Sequence, residues 1–273
     1  MIRHDEKNRT FDCEPTLTDT QILKFCRDGF LMMEGLVPDE INRRTFAYLD
    51  EHPSKGPSTI ILEDWFRDNV LLEPQVAGAV RSILGRDVGL PVLMSNHRVQ
   101  CPAPLGDWHH DADSLFGPEV NYLQVFYYPQ DAPLEMGPTE VLPGSHLQES
   151  PRGAEHHGAV STTAPAGSVF ITIYSLLHRR TKSTASGMRN LLKWSYWRTV
   201  PPKRDWIHEL DFDFHTADYG GHGVCKHIAH MFYWLCGKAD EYRTWGGQSW
   251  PCSFPPGSQI GKSYGFPSGP PKW

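Results

Sequence analysis

The sequence predicts a mainly β fold, an antiparallel double-sheet barrel with helices packed on its outside, and three observations carry that prediction. Aromatic residues make up 12% of the chain, and 23 prolines and 24 glycines punctuate it. That mixture belongs to short strands joined by turns rather than to a helical bundle. Second, the hydrophobic period changes from helical to two near Pro91. Third, the segments "VLMSNHRVQ", "NYLQVFYYP", "GSVFITIY" and "NLLKWSYWR" are rich in β-branched and aromatic residues and are bounded by Gly, Pro or Asn. Such segments are strands, and several of them at short spacing suit a closed antiparallel barrel.

The helical front part is read in order. "LTDTQILKFCRDGF" opens with Thr18 and has Gln21 three residues on, a capping-box spacing, while Gly29 supplies a stop. "PDEINRRTFAYLDEH" predicts a second helix, with Pro38 tolerated near its first turn and Ile41, Thr45, Tyr48 and Leu49 on one side. In "PQVAGAVRSILG" the residues Val76, Ala79, Val80, Ile83 and Leu84 recur at helical spacing, and Gly85 can take the left-handed position after the last turn. After the strands, "KHIAHMFYWLCG" returns to helix and ends at Gly237, and the tail from Gly246 is too rich in Pro and Gly for regular structure. No repeat and no second domain stand out. The expectation is a single domain over residues 1–273, with a helical part at about 17–85, a barrel core at about 91–200 and an irregular extension at about 201–273.

Composition excludes several classes of function. A net charge of −6 argues against nucleic acid as the main partner, because counterion release needs a basic face. No apolar run approaches the roughly 18 residues of a spanning helix, and the polar N-terminus carries no signal-peptide core. Six cysteines without a CxxC pair read as reduced thiols. A cytoplasmic protein acting on a small molecule, with no membrane or nucleic-acid partner, is the expectation; the oligomeric state is not legible.

The densest chemistry lies in "DWHHDADSLFG". On a strand, alternate side chains share a face, so His109 and Asp111 would point together and His110 away. A His and a carboxylate two apart form half of a 2-His-1-carboxylate triad, which leaves three metal positions open for non-haem Fe(II) chemistry. On its own the pair is a weak signal, and such a pair is more often a surface hydrogen-bonding group. Downstream, "AGSVFITIYSLLHRRTKSTASGMRNLLKWSYWR" reads as an apolar strand ending at His178, a loop, and a second strand opening at Arg189. A histidine there would sit at the barrel mouth, and an arginine there could grip a carboxylate with its bidentate fork.

At these residues the chain resembles the phytanoyl-CoA dioxygenase family of Fe(II)- and 2-oxoglutarate-dependent oxygenases, from about Leu17 to Arg198. "DWHHD" is similar to the family's Trp-His-x-Asp metal motif, "MGPTEVLPGSH" to its Asn-Gly-Pro…Pro-Gly-Ser-His loop with Met136 in place of the usual Asn, and "PAGSVF…LLH" to its distal-histidine strand. Arg189 follows His178 by 11 residues, the family's spacing for the arginine that binds the far carboxylate of 2-oxoglutarate. The resemblance implies a double-stranded β-helix (jelly-roll, cupin-like) barrel. It implies that His109, Asp111 and His178 bind Fe(II) and that Arg189 binds 2-oxoglutarate. Gln100 and Asn96, in a strand similar to one that lends polar groups to cosubstrate and substrate, join as cofactor-binding candidates. The family often has a serine where this chain has Arg180, which leaves the second contact to the far carboxylate open and offers Arg180 to an anionic substrate group.

The implied reaction consumes O2 and 2-oxoglutarate, releases succinate and CO2, and hydroxylates an unactivated C–H bond of a small metabolite. A retained Asp111 favours hydroxylation over halogenation, in which chloride takes the place of the carboxylate. Two alternatives stand beside it: a non-redox cupin-type metal enzyme, which would need a further histidine, and a catalytically inactive binding relative, which would have lost a ligand or the arginine. His146 reads as a loop residue. The late histidines His208, His215, His222, His227 and His230, with Cys225, lack zinc-finger spacing.

Overall fold

The computed structural model describes residues 3–5, 9–149, 156–212 and 225–240. The tail from Gly246 and residues His215 and His222, singled out above, lie outside the described residues. Strands β1 (Arg3–Asp5) and β2 (Thr10–Asp12) precede helix α1 (Asp19–Asp28). Thr18 and Gln21 form the reciprocal capping box that the sequence announces, and Gly29 ends the helix at φ 77°, ψ 2°. That glycine is required twice over, because a Cβ there would come within 2.3 Å of the His146 ring.

After β3 (Phe30–Met33) comes α2 (Asp39–Glu51), with Pro38 as its N-cap and Asn42, Thr45 and Leu49 buried; Ile41 and Tyr48 are only half-buried. A short α3 (Asp64–Phe66) runs into a π-helical turn (Arg67–Leu71), and α4 (Pro74–Leu84) follows. Gly85 takes the positive φ of 83° that only glycine adopts freely, but its ψ of −166° is extended rather than left-handed helical.

The remaining strands are β4 (Val88–Gly89), β5 (Ser95–Asn96), β6 (Val99–Cys101), β7 (Tyr122–Tyr128), β8 (Thr139–Val141), β9 (Val160–Ser161), β10 (Ser168–Ile173), β11 (His178–Arg180), β12 (Gly187–Arg189) and β13 (Leu192–Trp197); helix α5 (Cys225–Leu235) follows them. One antiparallel sheet runs β1-β2-β4-β13-β7-β10-β3, with β5 also on β13. The facing layer is broken into β11-β8-β9 and β12-β6. The fold is therefore mainly β, a jelly roll with helices on one side.

Alternation along the central strands assigns the two faces. Leu123, Val125 and Tyr127 of β7, Val169 and Ile171 of β10, and Trp194 and Tyr196 of β13 all join the large core against the helices. Phe66 of α3 packs between Tyr127 and Trp194, at ring-centroid distances of 6.3 and 6.4 Å. Burying each such ring contributes about 1.5–3 kcal/mol. The hydroxyls are satisfied as well: Tyr127 donates to Asn42 Oδ1 at 2.7 Å and Tyr196 to the Leu71 carbonyl at 2.7 Å. The opposite face of the same strands looks into the barrel. There Phe170, Phe126 and Lys193 lie in one cross-strand row, and Thr172, Gln124 and Ser195 in the next.

The extension after residue 200 is strapped to the helices by charge. Asp19, fully buried at the start of α1, accepts from Arg204, from Trp206 Nε1 at 2.7 Å and from the Glu209 amide at 2.8 Å. Helix α5 packs on α1, and Arg198 lies 5.0 Å over the Trp234 ring. No helix among the described residues is long and apolar enough to cross a membrane.

Candidate metal and anion site

His109, Asp111 and His178 meet in space: their ligand atoms all lie within 4.8 Å of one another. Two donors bonded to one ion at about 2.1 Å span at most about 4.2 Å, so the cluster is close to the spacing that a single ion needs. The way these residues are held differs from the sequence expectation. His109 makes only an isolated bridge to His178, N to O at 3.0 and 3.1 Å in the two directions, and Asp111 lies in the loop beyond. His178 does not close the apolar strand. That strand, β10, stops at Ile173, and after a turn His178 opens β11. Arg189 likewise ends β12 instead of opening a strand. Side chains that a single long strand would have aligned are thus aligned by two chain segments pairing across the barrel mouth. His110 points away, its Nδ1 at 2.6 Å from the Ser175 carbonyl.

The donor set is prepared for a cation. His109 Nδ1 lies 3.0 Å from the Asp107 carbonyl, and His178 Nδ1 lies 2.9 Å from that of Leu176. A carbonyl only accepts, so each Nδ1 carries the proton and each Nε2 presents a lone pair. His178 Nε2 is buried with no partner, the orphaned atom that a ligand site leaves behind. Burial, with the Lys193 charge adding to it and the Leu176 carbonyl and Asp111 opposing it, lowers the His178 pKa to about 4, so the imidazole is neutral at physiological pH. Burial pushes the Asp111 carboxyl upward, but Lys193, Gln124 and His178 outweigh it and hold the group below the usual carboxylate range. Gln124 donates to Asp111 Oδ2, and Lys193 Nζ lies 3.0 Å from the same oxygen and 3.3 Å from Oδ1. Oδ1 is left the less engaged of the two.

Behind this cluster lies a cavity of about 440 Å³ whose lining includes His97, His109, Phe126, Thr139, His178, Arg180 and Arg189. Arg189 is 2% exposed. It donates to the His97 carbonyl at 3.3 Å and to Thr139 Oγ1 at 3.4 Å, its Nε has no partner, and among the described residues no carboxylate faces it. Burial pulls its pKa below the ordinary arginine value, against an opposing contribution from the neighbouring Tyr128 and with a smaller lowering from the Arg180 charge. A buried guanidinium without a counter-charge costs several kcal/mol, and the missing partner has the shape of a carboxylate.

The two remaining sequence candidates separate from this group. Asn96 lines the cavity, but its amide is spent on structure: Nδ2 donates to Asn190 Oδ1 at 2.9 Å and Oδ1 accepts the Leu191 amide at 3.3 Å. Gln100 is not among the residues lining the cavity. It turns outward, donates to the Cys101 and Gly187 carbonyls and borders a separate depression beside Met188. The break between β5 and β6 defeats the alternation that would have put Asn96 and Gln100 on one face. Arg98 is tied to the end of α2 through Asp50 and the Leu49 carbonyl. Gln124, Thr139 and Lys193 were not anticipated; a glutamine and a lysine inside otherwise apolar strands were the available signal. His146 is buried, with Nε2 at 3.0 Å from the Cys26 carbonyl, and serves packing.

Comparison with known proteins agrees with this geometry. The family model described as Phytanoyl-CoA dioxygenase (PhyH) matches residues 25–190. No curated protein sequence matches the chain significantly. Solved structures with the same fold include HygX from Streptomyces hygroscopicus with nickel and 2-oxoglutarate bound, at 19% identity and TM-score 0.55 over 76% of this chain and 95% of that one. EctD from S. alaskensis with bound Fe superimposes at TM-score 0.53 and 17% identity, covering 72% of this chain and 84% of that one. The non-heme alpha ketoglutarate dependent epimerase SnoN from nogalamycin biosynthesis does so at 0.54 and 16%, covering 65% and 79%.

Proposed function

The chain belongs to the phytanoyl-CoA dioxygenase family, and from that premise we propose that it is an Fe(II)- and 2-oxoglutarate-dependent dioxygenase that hydroxylates an unactivated C–H bond of a small molecule. The observation that carries the reading is Arg189, a buried cation without a carboxylate, behind two imidazoles and an acid whose donor atoms converge. His109, Asp111 and His178 would hold the iron through Nε2, a carboxylate oxygen and Nε2. Arg189 would bind the far carboxylate of 2-oxoglutarate, with Thr139 beside it. Bound there, iron, 2-oxoglutarate and O2 supply the oxidant, with succinate and CO2 as coproducts.

The chain's own residues do the positioning. The Asp107 and Leu176 carbonyls fix both imidazole tautomers, and Gln124 and Lys193 fix the orientation of Asp111. The stacked Phe126 and Phe170 rings, 4.4 Å apart and 2° from parallel, give the barrel interior an apolar wall that excludes water. Cys13, Cys26 and Cys101 are free thiols, which supports a reducing, cytoplasmic setting.

The test is anaerobic. 2-Oxoglutarate added to the Fe(II)-loaded protein should give a charge-transfer absorption that Asp111→Ala removes and Arg189→Met shifts to much higher concentration. Admitting O2 should then release succinate. A wild-type protein that shows neither signal is not an enzyme of this kind, and the inactive-relative reading takes over.

A further inference from the structure

The cavity is strongly cationic in a chain whose net charge is −6. Lys55, Arg98, Arg179, Arg180 and Arg189 line it, and no aspartate or glutamate among the described residues does. Two of these charges are already answered: Arg98 by Asp50 at 3.0 Å, and Arg179 by Glu140 at 2.7 Å with the Trp108 ring 4.4 Å beneath it. Resting on the function proposed above, the remaining charges can be followed into the loaded state. The ion's two charges, Asp111, the two carboxylates of 2-oxoglutarate and Arg189 cancel. Arg180, Lys55 and Lys193 are in excess of that balance, Lys193 being held on Asp111 at 3.0 Å.

Arg180 is the best placed of the three. It lies two residues from His178 on β11, so the two side chains share a face. It stands directly opposite Thr139 on β8, and opposed residues of an antiparallel pair project to the same side. Thr139 is the hydroxyl that Arg189 touches, so Arg180 enters the cavity beside Arg189 and the distal histidine. Its one side-chain hydrogen bond is to the neighbouring Thr181 carbonyl at 3.3 Å, and no carboxylate among the described residues pairs with it. Lys55 stands at the exposed mouth. A guanidinium with its fork free, in a site where the cosubstrate already neutralises Arg189, awaits a second oxyanion.

We infer that the substrate carries an oxyanion, a carboxylate or a phosphate, which Arg180 receives inside the cavity while Lys55 attracts it at the mouth. Selection then rests on charge first, and an uncharged analogue of the same shape binds poorly because it leaves Arg180 unpaired.

The test uses protein loaded with Ni(II), an inert substitute for iron, and saturated with 2-oxoglutarate. Calorimetric titration with methylphosphonate and, separately, with propionate should show binding in one arm or both, and the stronger arm identifies the anion. Propionamide, the uncharged control, should not bind. Arg180→Gln should weaken the oxyanion at least tenfold and leave the affinity for 2-oxoglutarate within threefold, whereas Arg189→Gln should weaken 2-oxoglutarate. If neither oxyanion binds the loaded wild type, or propionamide binds equally well, the inference fails. It fails too if Arg180→Gln costs 2-oxoglutarate as much as Arg189→Gln does, since Arg180 then belongs to the cosubstrate. Absence of 2-oxoglutarate binding to the Ni(II) protein, read before any oxyanion is added, removes the enzymatic reading itself and this inference with it.

Discussion

Two sets of buried arginines in this molecule are treated in opposite ways. Between the helices and the extension, Arg81 is 2% exposed and is met by Asp12 at 2.6 Å and Asp205 at 2.8 Å, while Arg204 is clasped by the fully buried Asp19. Burial alone would raise the Asp205 carboxyl, but Arg81 and Arg86 outweigh it and hold it below the usual range. In the barrel, Arg189 is equally buried and Arg180 stands beside it, and neither has an acid among the described residues. The contrast between buried charges paired for cohesion and the unpaired Arg189 and Arg180 of the cavity is what the proposed binding of anions rests on.

The comparison is broken most severely by removing an acid from the paired side. Asp19→Ala should lower the unfolding free energy by about 3–5 kcal/mol, because Arg204 is left buried and uncompensated; urea denaturation measures it. The opposite expectation holds in the cavity. Arg189→Met should leave stability unchanged or raise it, while the affinity for 2-oxoglutarate falls by roughly 30- to 1000-fold, the cost of about 2–4 kcal/mol for truncating one member of a desolvated charge pair. If Arg189→Met destabilises the fold as Asp19→Ala does, the contrast is wrong.

Lys193→Met tests the support of Asp111. Loss of an outer partner should weaken metal binding by roughly 10- to 100-fold, measured by competition against a chelator, with little effect on unfolding.

The smallest effect is one of pH. Burial lowers the His146 pKa from 6.5 to about 4. Between those values the unfolded chain binds the extra proton and the folded one does not, so His146 contributes stability above about pH 6.5 that is lost as pH falls toward 4. A His146→Asn variant should show a shallower decline of the unfolding free energy over that window, by no more than about 1.4 kcal/mol per pH unit, measured by urea denaturation at a series of pH values.

Local chemistry was the legible part of the sequence. The Thr18/Gln21 box and Gly29 marked both ends of α1, since a cap is decided by residues three positions apart. Strands β7, β10 and β13 were legible as strands because β-branched and aromatic residues bounded by Gly, Pro or Asn favour extended chain. Legibility failed where a residue's neighbours come from elsewhere in the chain. His109 looked like a strand residue but is held by a single bridge to His178, 69 positions on, and Gln100 turned outward because the strand breaks at His97 and Arg98. Lys193 and Gln124 were visible as polar residues in apolar strands, yet their common target, Asp111, reaches them only through a loop.

By itself the sequence determined the mainly β class, the boundaries of α1, α2 and α4 and the residue types of the proposed metal and carboxylate site, because periodicity and capping act over a few residues. The tertiary structure alone decided which oxygen of Asp111 is held, which arginines are answered and which are not. Those outcomes depend on contacts closed across loops of tens of residues, and no local pattern encodes the pairing of charges over that range.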